Sequence, residues 1–165
     1  MAFVPYHQHL LVKALCKKPI RSEAVLNEWF KQLVAKVGMV VVAGPTSVHV
    51  AEPGNEGLTG TVTLATSHAS IHIWEYYEIP MFQFDIYSCK LYNIQTVIDH
   101  LNEMELISFD WMMIERNNGL QVVDHGTGIE STYTSNAVLA HLDNLSECYK
   151  GIFNFIPYSK RSVFS

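Results

Sequence analysis

Apolar side chains recur along this chain with two different periods. Val25, Leu26, Trp29, Phe30, Leu33, Val34 and Val37 fall at the three- and four-residue intervals of a helix face. Ser22 stands where an N-cap is expected, Glu23 in the first turn, and Gly38 where the helix stops. Further on, Phe82, Phe84 and Ile86 alternate with Gln83, Asp85 and Tyr87, the signature of a strand with one buried face. By the same alternation Cys89 belongs with the polar set.

The remaining segments fill in around these two. Residues 9–16 read as a strand before Pro19, 39–43 as a short β-branched run, and 47–51 as a separate strand beyond Gly44-Pro45. Glu52-Pro53-Gly54-Asn55-Glu56-Gly57 is a loop by its turn residues, and 59–65 is rich in Thr and Val. A second helix is predicted over 94–104, a strand over 107–116, a turn at Asn117-Asn118-Gly119 and a short strand over 120–123. Residues 124–134, including Asp124-His125-Gly126, read as a long loop, and 136–153 as a last helix. Mixed helices and strands with turn-joined neighbours predict an α+β fold with an antiparallel sheet.

Length and composition narrow the class. A chain of 165 residues buries roughly two thirds of its extended surface in one core, so a single domain over 1–165 is expected. Hydrophobic residues make up 48% and the net charge is −5, which gives nucleic acid or an anionic membrane no electrostatic reason to bind. No apolar run approaches the 18 or so residues of a membrane span. Cys16, Cys89 and Cys148 are odd in number without CxxC spacing, and no stretch near the N-terminus resembles a signal peptide. Reduced thiols and a cytoplasmic location are the expectation.

The candidate chemistry lies in Thr66-Ser67-His68-Ala69-Ser70-Ile71-His72-Ile73-Trp74 and in Cys89, which closes Phe84-Asp85-Ile86-Tyr87-Ser88. Together they offer a hydroxyl, an imidazole and a thiol. Taken singly, Ser67 reads as a structural serine, His72 as a satisfied, half-buried histidine and Cys89 as a small buried hydrophobe. Their succession within one strand-loop-strand unit favours chemistry. His68, His72 and Cys89 match no standard zinc spacing, so no metal is expected. His7, His9, His49, His100, His125 and His141 are scattered, with nothing to tie them to a site. If 67–72 were fully extended, Ser67 and His72 would be about 16 Å apart at 3.3 Å per residue, so direct proton transfer between them requires a bend in that segment.

The two motifs, Ser67-His68-Ala69-Ser70-Ile71-His72-Ile73-Trp74 and Asp85-Ile86-Tyr87-Ser88-Cys89, resemble the core of the prokaryotic S-adenosylmethionine decarboxylases, with the similarity running over about 7 to 116. The resemblance implies a two-layer α/β sandwich with helices on one face of the sheet. It also implies pairing through the sheets into a homodimer, with residues after about 120 as a C-terminal extension. It implies a pyruvoyl-dependent carboxy-lyase of polyamine (spermidine) biosynthesis. Its proenzyme cuts itself between Thr66 and Ser67 and converts Ser67 into the pyruvoyl cofactor, which forms a Schiff base with the substrate amine. By the same analogy His72 moves protons during processing and Thr59 stands where the family has a processing serine. Cys89 returns a proton to the substrate carbon, and Trp74 and Glu75 bind substrate, with Glu78 as the alternative to Glu75.

The chain departs from that family's pattern at three places. Thr66 replaces the usual glutamate before the cleaved serine, but the attacked group is a backbone carbonyl. Ala51 replaces an aromatic that stacks on the substrate's adenine, a contact worth about 1–3 kcal/mol by comparison with base stacking. Trp74-Glu75-Tyr76-Tyr77-Glu78 replaces Trp-Pro-Glu, with two extra residues before Cys89. These changes bear on substrate recognition. They keep two other readings open: the same machinery acting on L-ornithine or L-arginine, and a homologue that does not process and serves as a binding or regulatory subunit.

Overall fold

The computed structural model describes residues 6–129 within a compact unit, Met1–Glu130. Seven strands, β1 (Gln8–Cys16), β2 (Val41–Val50), β3 (Gly57–Leu64), β4 (Ser67–Trp74), β5 (Met81–Ser88), β6 (Leu106–Glu115) and β7 (Gln121–Ile129), form one sheet. It is antiparallel throughout, in the order β2-β3-β4-β5-β1-β6-β7. Helices α1 (Glu23–Lys36) and α2 (Ile94–Leu101) cover one face, and a short 3-10 turn, Asn102–Met104, follows α2 where the sequence predicted continued helix. This is the predicted α+β sandwich. The predicted helix at 136–153 and His141 lie outside the described residues.

The core lies between the helices and the alternate residues that face them: Leu58, Val62 and Leu64 from β3, Ala69, Ile71 and Ile73 from β4, Phe82, Phe84 and Ile86 from β5, Leu10 and Val12 from β1. Leu26, Phe30 and Leu33 of α1 are fully buried among them, whereas Val25, expected in the same stripe, is 56% exposed at the stripe's edge. Ser22 is at the N-cap position, but its side chain makes no capping hydrogen bond. Trp29 stacks on His100 with ring centroids 4.5 Å apart, tying α1 to α2. His100 Nε2 donates to the Trp29 carbonyl, and Lys36 Nζ donates to both His100 Nδ1 and Glu103. Cys16 is in this core, where burial pushes its thiol up to about 12 and leaves it inert.

Two strands differ from expectation for local steric reasons. The 39–43 and 47–51 segments are one strand, β2, which passes through Gly44-Pro45 at irregular pairing with β3. Proline has no N–H to give, and β2 is an edge strand where none is demanded on the outer side. Residues 124–129 continue β7 where a loop was expected, and Asp124-His125-Gly126 is part of that strand. There the glycines make room for aromatics of β6: a Cβ on Gly126 would come within 2.6 Å of Trp111, and one on Gly128 within 2.2 Å of Phe109. A composition that reads as loop is the footing of two rings.

Gly60 sets how closely α1 approaches β3. A Cβ there would meet Leu26 at 2.7 Å, Phe30 at 2.8 Å and Ser47 Oγ at 2.9 Å, all side-chain atoms that must shift. Gly60→Ala is expected to destabilise by about 1–3 kcal/mol through overpacking. Thermal or urea unfolding checks this, and an unchanged midpoint would show that α1 does not seat on β3 at this depth.

Candidate active site

β3 and β4 are joined by a two-residue turn, Ala65-Thr66, with Leu64 paired to Ser67. Thr66 has φ +81, a left-handed conformation that costs a β-branched residue of order 1–3 kcal/mol. The peptide bond between Thr66 and Ser67 therefore leaves a strained residue. The bend lies before Ser67: residues 67–74 are one uninterrupted strand. Beside the turn, the Thr66 hydroxyl and the Cys89 thiol lie 2.6 Å apart. Cys89 is held by its neighbours, since the buried Ser88 hydroxyl donates to the Lys90 carbonyl at 2.7 Å and accepts from the Lys90 N–H at 2.9 Å.

His72 is at the other end of β4, cross-strand from Thr59 and Gln83. Its Nδ1 is hydrogen-bonded to the Thr59 hydroxyl, and its ring sits edge-on to Trp74 with centroids 4.2 Å apart. Burial lowers the His72 pKa below its ordinary value, against the opposing pull of the Asn55 carbonyl and the Glu75 carboxylate. The imidazole is thus kept neutral near pH 7 and able to accept a proton. Its buried Nε2 has no partner in full hydrogen-bonding geometry, nor has Trp74 Nε1. Trp74 also stacks with Tyr77 at 6.4 Å, and the Tyr77 hydroxyl reaches the Gly54 carbonyl. Glu75 is buried, with Oε1 on His49 Nε2 at 3.1 Å and Oε2 accepting from the Leu58 N–H at 3.0 Å.

The sites expected from sequence thus form two groups within one chain. Thr66, Ser67 and Cys89 gather at the β3-β4 turn, while Thr59, His72, Trp74 and Glu75 gather near the far end of the same strands. Five residues of extended strand separate Ser67 from His72, about 16 Å, so the imidazole does not reach the hydroxyl of its own chain. His49, one of the scattered histidines, belongs to the second group through Glu75. Its position in β2, opposite Leu58, becomes visible only once strands are paired.

A third group appears on the face turned away from the helices. Asp85 accepts from the Ser70 hydroxyl through Oδ1, and its Oδ2 lies 3.1 Å from His9 Nε2 and 3.5 Å from His68 Nε2. Burial pushes the Asp85 carboxyl up, but hydrogen bonds from His9 and Ser70, with the His9 and His68 charges, outweigh it and hold it below its ordinary value. A polar residue in the middle of an aromatic strand was the available signal for Asp85.

These features define an antiparallel-sheet sandwich that carries a strained Thr-Ser turn beside a thiol and a neutral imidazole on the adjoining strand. The family model described as S-adenosylmethionine decarboxylase matches residues 8–110, and the chain belongs to that family. The match takes in Thr59, Ser67, His72 and Cys89, and the family points to a decarboxylase with S-adenosylmethionine as substrate. No curated protein matches the chain. Among the described residues no helix is long and apolar enough to cross a membrane.

His72 and His100 both have pKa values lowered by burial from the ordinary 6.5. Just below that value the unfolded chain binds more protons than the folded one, so stability falls as pH is lowered through this window. The urea midpoint is expected to drop between pH 7 and pH 5, and to drop less in His72→Gln. A flat profile in the unmodified chain would contradict neutral, buried imidazoles.

Proposed function

We propose that this protein is a self-processing, pyruvoyl-dependent decarboxylase acting on S-adenosylmethionine, with each active site completed across a homodimer. The observation that carries the reading is the left-handed Thr66 immediately before Ser67, with the Cys89 thiol 2.6 Å from its hydroxyl. In processing, Ser67 Oγ attacks the Thr66 carbonyl and the C–N bond gives way to an ester. Loss of the Ser67 Cα proton then expels the Thr66 carboxylate and leaves dehydroalanine. Hydrolysis of dehydroalanine releases ammonia and leaves the pyruvoyl group on the 67–165 piece. Cutting the bond frees Thr66 from its turn, so strain in the uncut chain favours the forward step.

The residues present fit the group: the serine that becomes it is at the turn, and the only described cysteine that is not in the core adjoins it. Once formed, the pyruvoyl carbonyl supplies an electron sink for loss of carbon dioxide from the substrate amine. Cys89 is assigned the return of a proton to the substrate carbon. His72, neutral and hydrogen-bonded to Thr59, is assigned proton removal during processing. Trp74 and Tyr77 form a stacked aromatic wall beside it, suited to a planar adenine in a chain where Ala51 offers no ring. Both Glu75 oxygens are engaged, yet a carboxylate has roughly four acceptor sites, which leaves capacity for substrate hydroxyls.

The dimer follows from the separation of the two groups. His72 of one chain is out of reach of its own Ser67, whereas in two chains related by a two-fold axis with open sheet faces together the Thr59-His72 group of each meets the β3-β4 turn of the other, at the Thr66-Ser67 bond and Cys89. Leu11, Met81, Met112 and Ile114 occupy that uncovered face.

Intact mass gives the first test. The 18.7 kDa chain is expected to yield pieces 1–66 and 67–165, and Ser67→Ala to abolish the split; a single stable chain sinks the enzyme reading in favour of a binding subunit. His72→Ala chains, uncut when expressed alone, are expected to be cut when co-expressed with Ser67→Ala chains that bring an intact His72; no cutting in the mixture defeats the shared site. Carbon dioxide release is expected from S-adenosylmethionine and not from ornithine or arginine, and Cys89→Ala is expected to leave cleavage while lowering turnover by about 10²- to 10⁴-fold. Release from either amino acid instead would reassign the substrate.

A further inference from the structure

We propose that His9, His68 and Asp85 form a binding site for one divalent transition-metal ion of the zinc class, on the sheet face opposite the helices. The three residues come from three adjacent strands, β1, β4 and β5, so sequence spacing does not reveal them. All three ligand atoms lie within 4.8 Å of one another. Both imidazole Nε2 atoms converge on a single carboxylate oxygen, Asp85 Oδ2, at 3.1 Å and 3.5 Å. Zinc bonds of 2.0–2.2 Å in tetrahedral geometry set neighbouring donors about 3.3 Å apart, close to the separations of the two imidazoles from the carboxylate oxygen.

The surroundings hold the ligands as a metal site needs. The Ser70 hydroxyl donates to Asp85 Oδ1, which fixes the carboxylate plane and leaves Oδ2 for the ion. Tyr87 packs edge-on to His9 and tilted over His68, with ring centroids at 6.0 Å and 5.6 Å, and its own hydroxyl is taken by His7. The Arg116 guanidinium lies over the Tyr87 ring, 4.5 Å from its centroid. Within one chain the His9 and Asp85 side chains are 21% and 26% exposed and His68 is 50% exposed, so the site opens on the His68 side, toward the face on which the chains are proposed to pair, with a fourth position for water. To bind the ion each imidazole offers its Nε2 lone pair and keeps its remaining ring proton on Nδ1. Two imidazoles and a carboxylate suit zinc, cobalt or nickel better than magnesium or calcium, which prefer all-oxygen sets.

By strand alternation His68 points to the face opposite Ser67, so the site is distinct from the cleavage turn although adjacent to it in sequence. The test uses the full chain as purified, without an affinity tag and with metal removed by chelation, titrated with Co²⁺. Visible absorption reports four- or five-coordinate cobalt, and equilibrium dialysis reports its stoichiometry. One ion per chain is expected. His9→Ala, His68→Gln and Asp85→Asn are each expected to remove the visible band with the far-ultraviolet circular dichroism unchanged. Ser70→Ala is expected to weaken binding about 10- to 100-fold. His125→Ala, on β7 at the far edge of the sheet, is expected to bind as the unmodified chain does. Unmodified protein without a saturable band, or Asp85→Asn with an undiminished one, overturns the proposal. His68→Gln, at the most exposed ligand, keeps the test decisive if the other variants do not fold.

Discussion

The register between β3 and β4 is the constraint on which the site depends. Leu64 faces Ser67 across a turn of two residues, and from that pairing Thr59 must face His72 and Leu58 must face Ile73. Side chains alternate with a period of two, so a slip of one residue would turn Ala69, Ile71 and Ile73 out of the core and put His68, Ser70, His72 and Trp74 into it. No such slip is tolerable, because the apolar set is completely or almost completely buried against α1 and α2. The hydrophobic pattern thus fixes the turn, and the turn is short enough to force Thr66 into the left-handed region. Strain at the bond to be cut is a consequence of core packing elsewhere.

The same alternation explains why chemistry collects on one face. The helices occupy one side of the sheet, which leaves the other for His9, His68, Asp85, His72 and Trp74. On that face acidic and basic groups from strands distant in sequence satisfy one another. On the covered face His100 is tied into a closed hydrogen-bond network with Trp29 and Lys36. A sandwich with one bare face holding apolar residues beside such a set has its unfinished surface where His72 and Trp74 are. That arrangement suits assembly through the sheet.

How much of this was legible in the chain varied with the range of the interaction. Local periodicity sufficed for α1, for β5 and for the polar placement of Cys89, because an amphipathic helix and a half-buried strand are written in neighbouring residues. The second part of β7, residues 124–129, was read as a loop because Gly126 and Gly128 were judged by their own propensity, while their reason is the bulk of Trp111 and Phe109 on the next strand. β2 was divided at Gly44-Pro45 for the same cause: an edge strand excuses a proline that a central strand does not. Ser67, His72 and Cys89 stood out by motif, but their division into two groups needed the strand to be known as straight. His9, His49 and Asp85 had no partner in sequence at all; only cross-strand pairing brings His9 to Asp85 and His49 to Glu75.

Thr66 in place of an acidic residue has a physical meaning within this geometry. The group under attack is its backbone carbonyl, so the side chain has no covalent part to take and its influence is conformational. A β-branched residue at φ +81 carries more steric cost than an unbranched one, because its second γ-atom crowds the backbone in the left-handed region. An extra cost of order 1 kcal/mol that is released by the transition state of acyl transfer lowers the barrier by that amount, at a tenfold gain in rate per 1.4 kcal/mol. The hydroxyl at the same time faces the Cys89 thiol and anchors it next to the bond. An unbranched acidic side chain would lose that conformational push and replace the hydroxyl contact to the sulfur with a carboxylate. Threonine therefore pairs strain at the cleavage bond with a neutral neighbour for the thiol, two effects that a glutamate at this turn would not supply together.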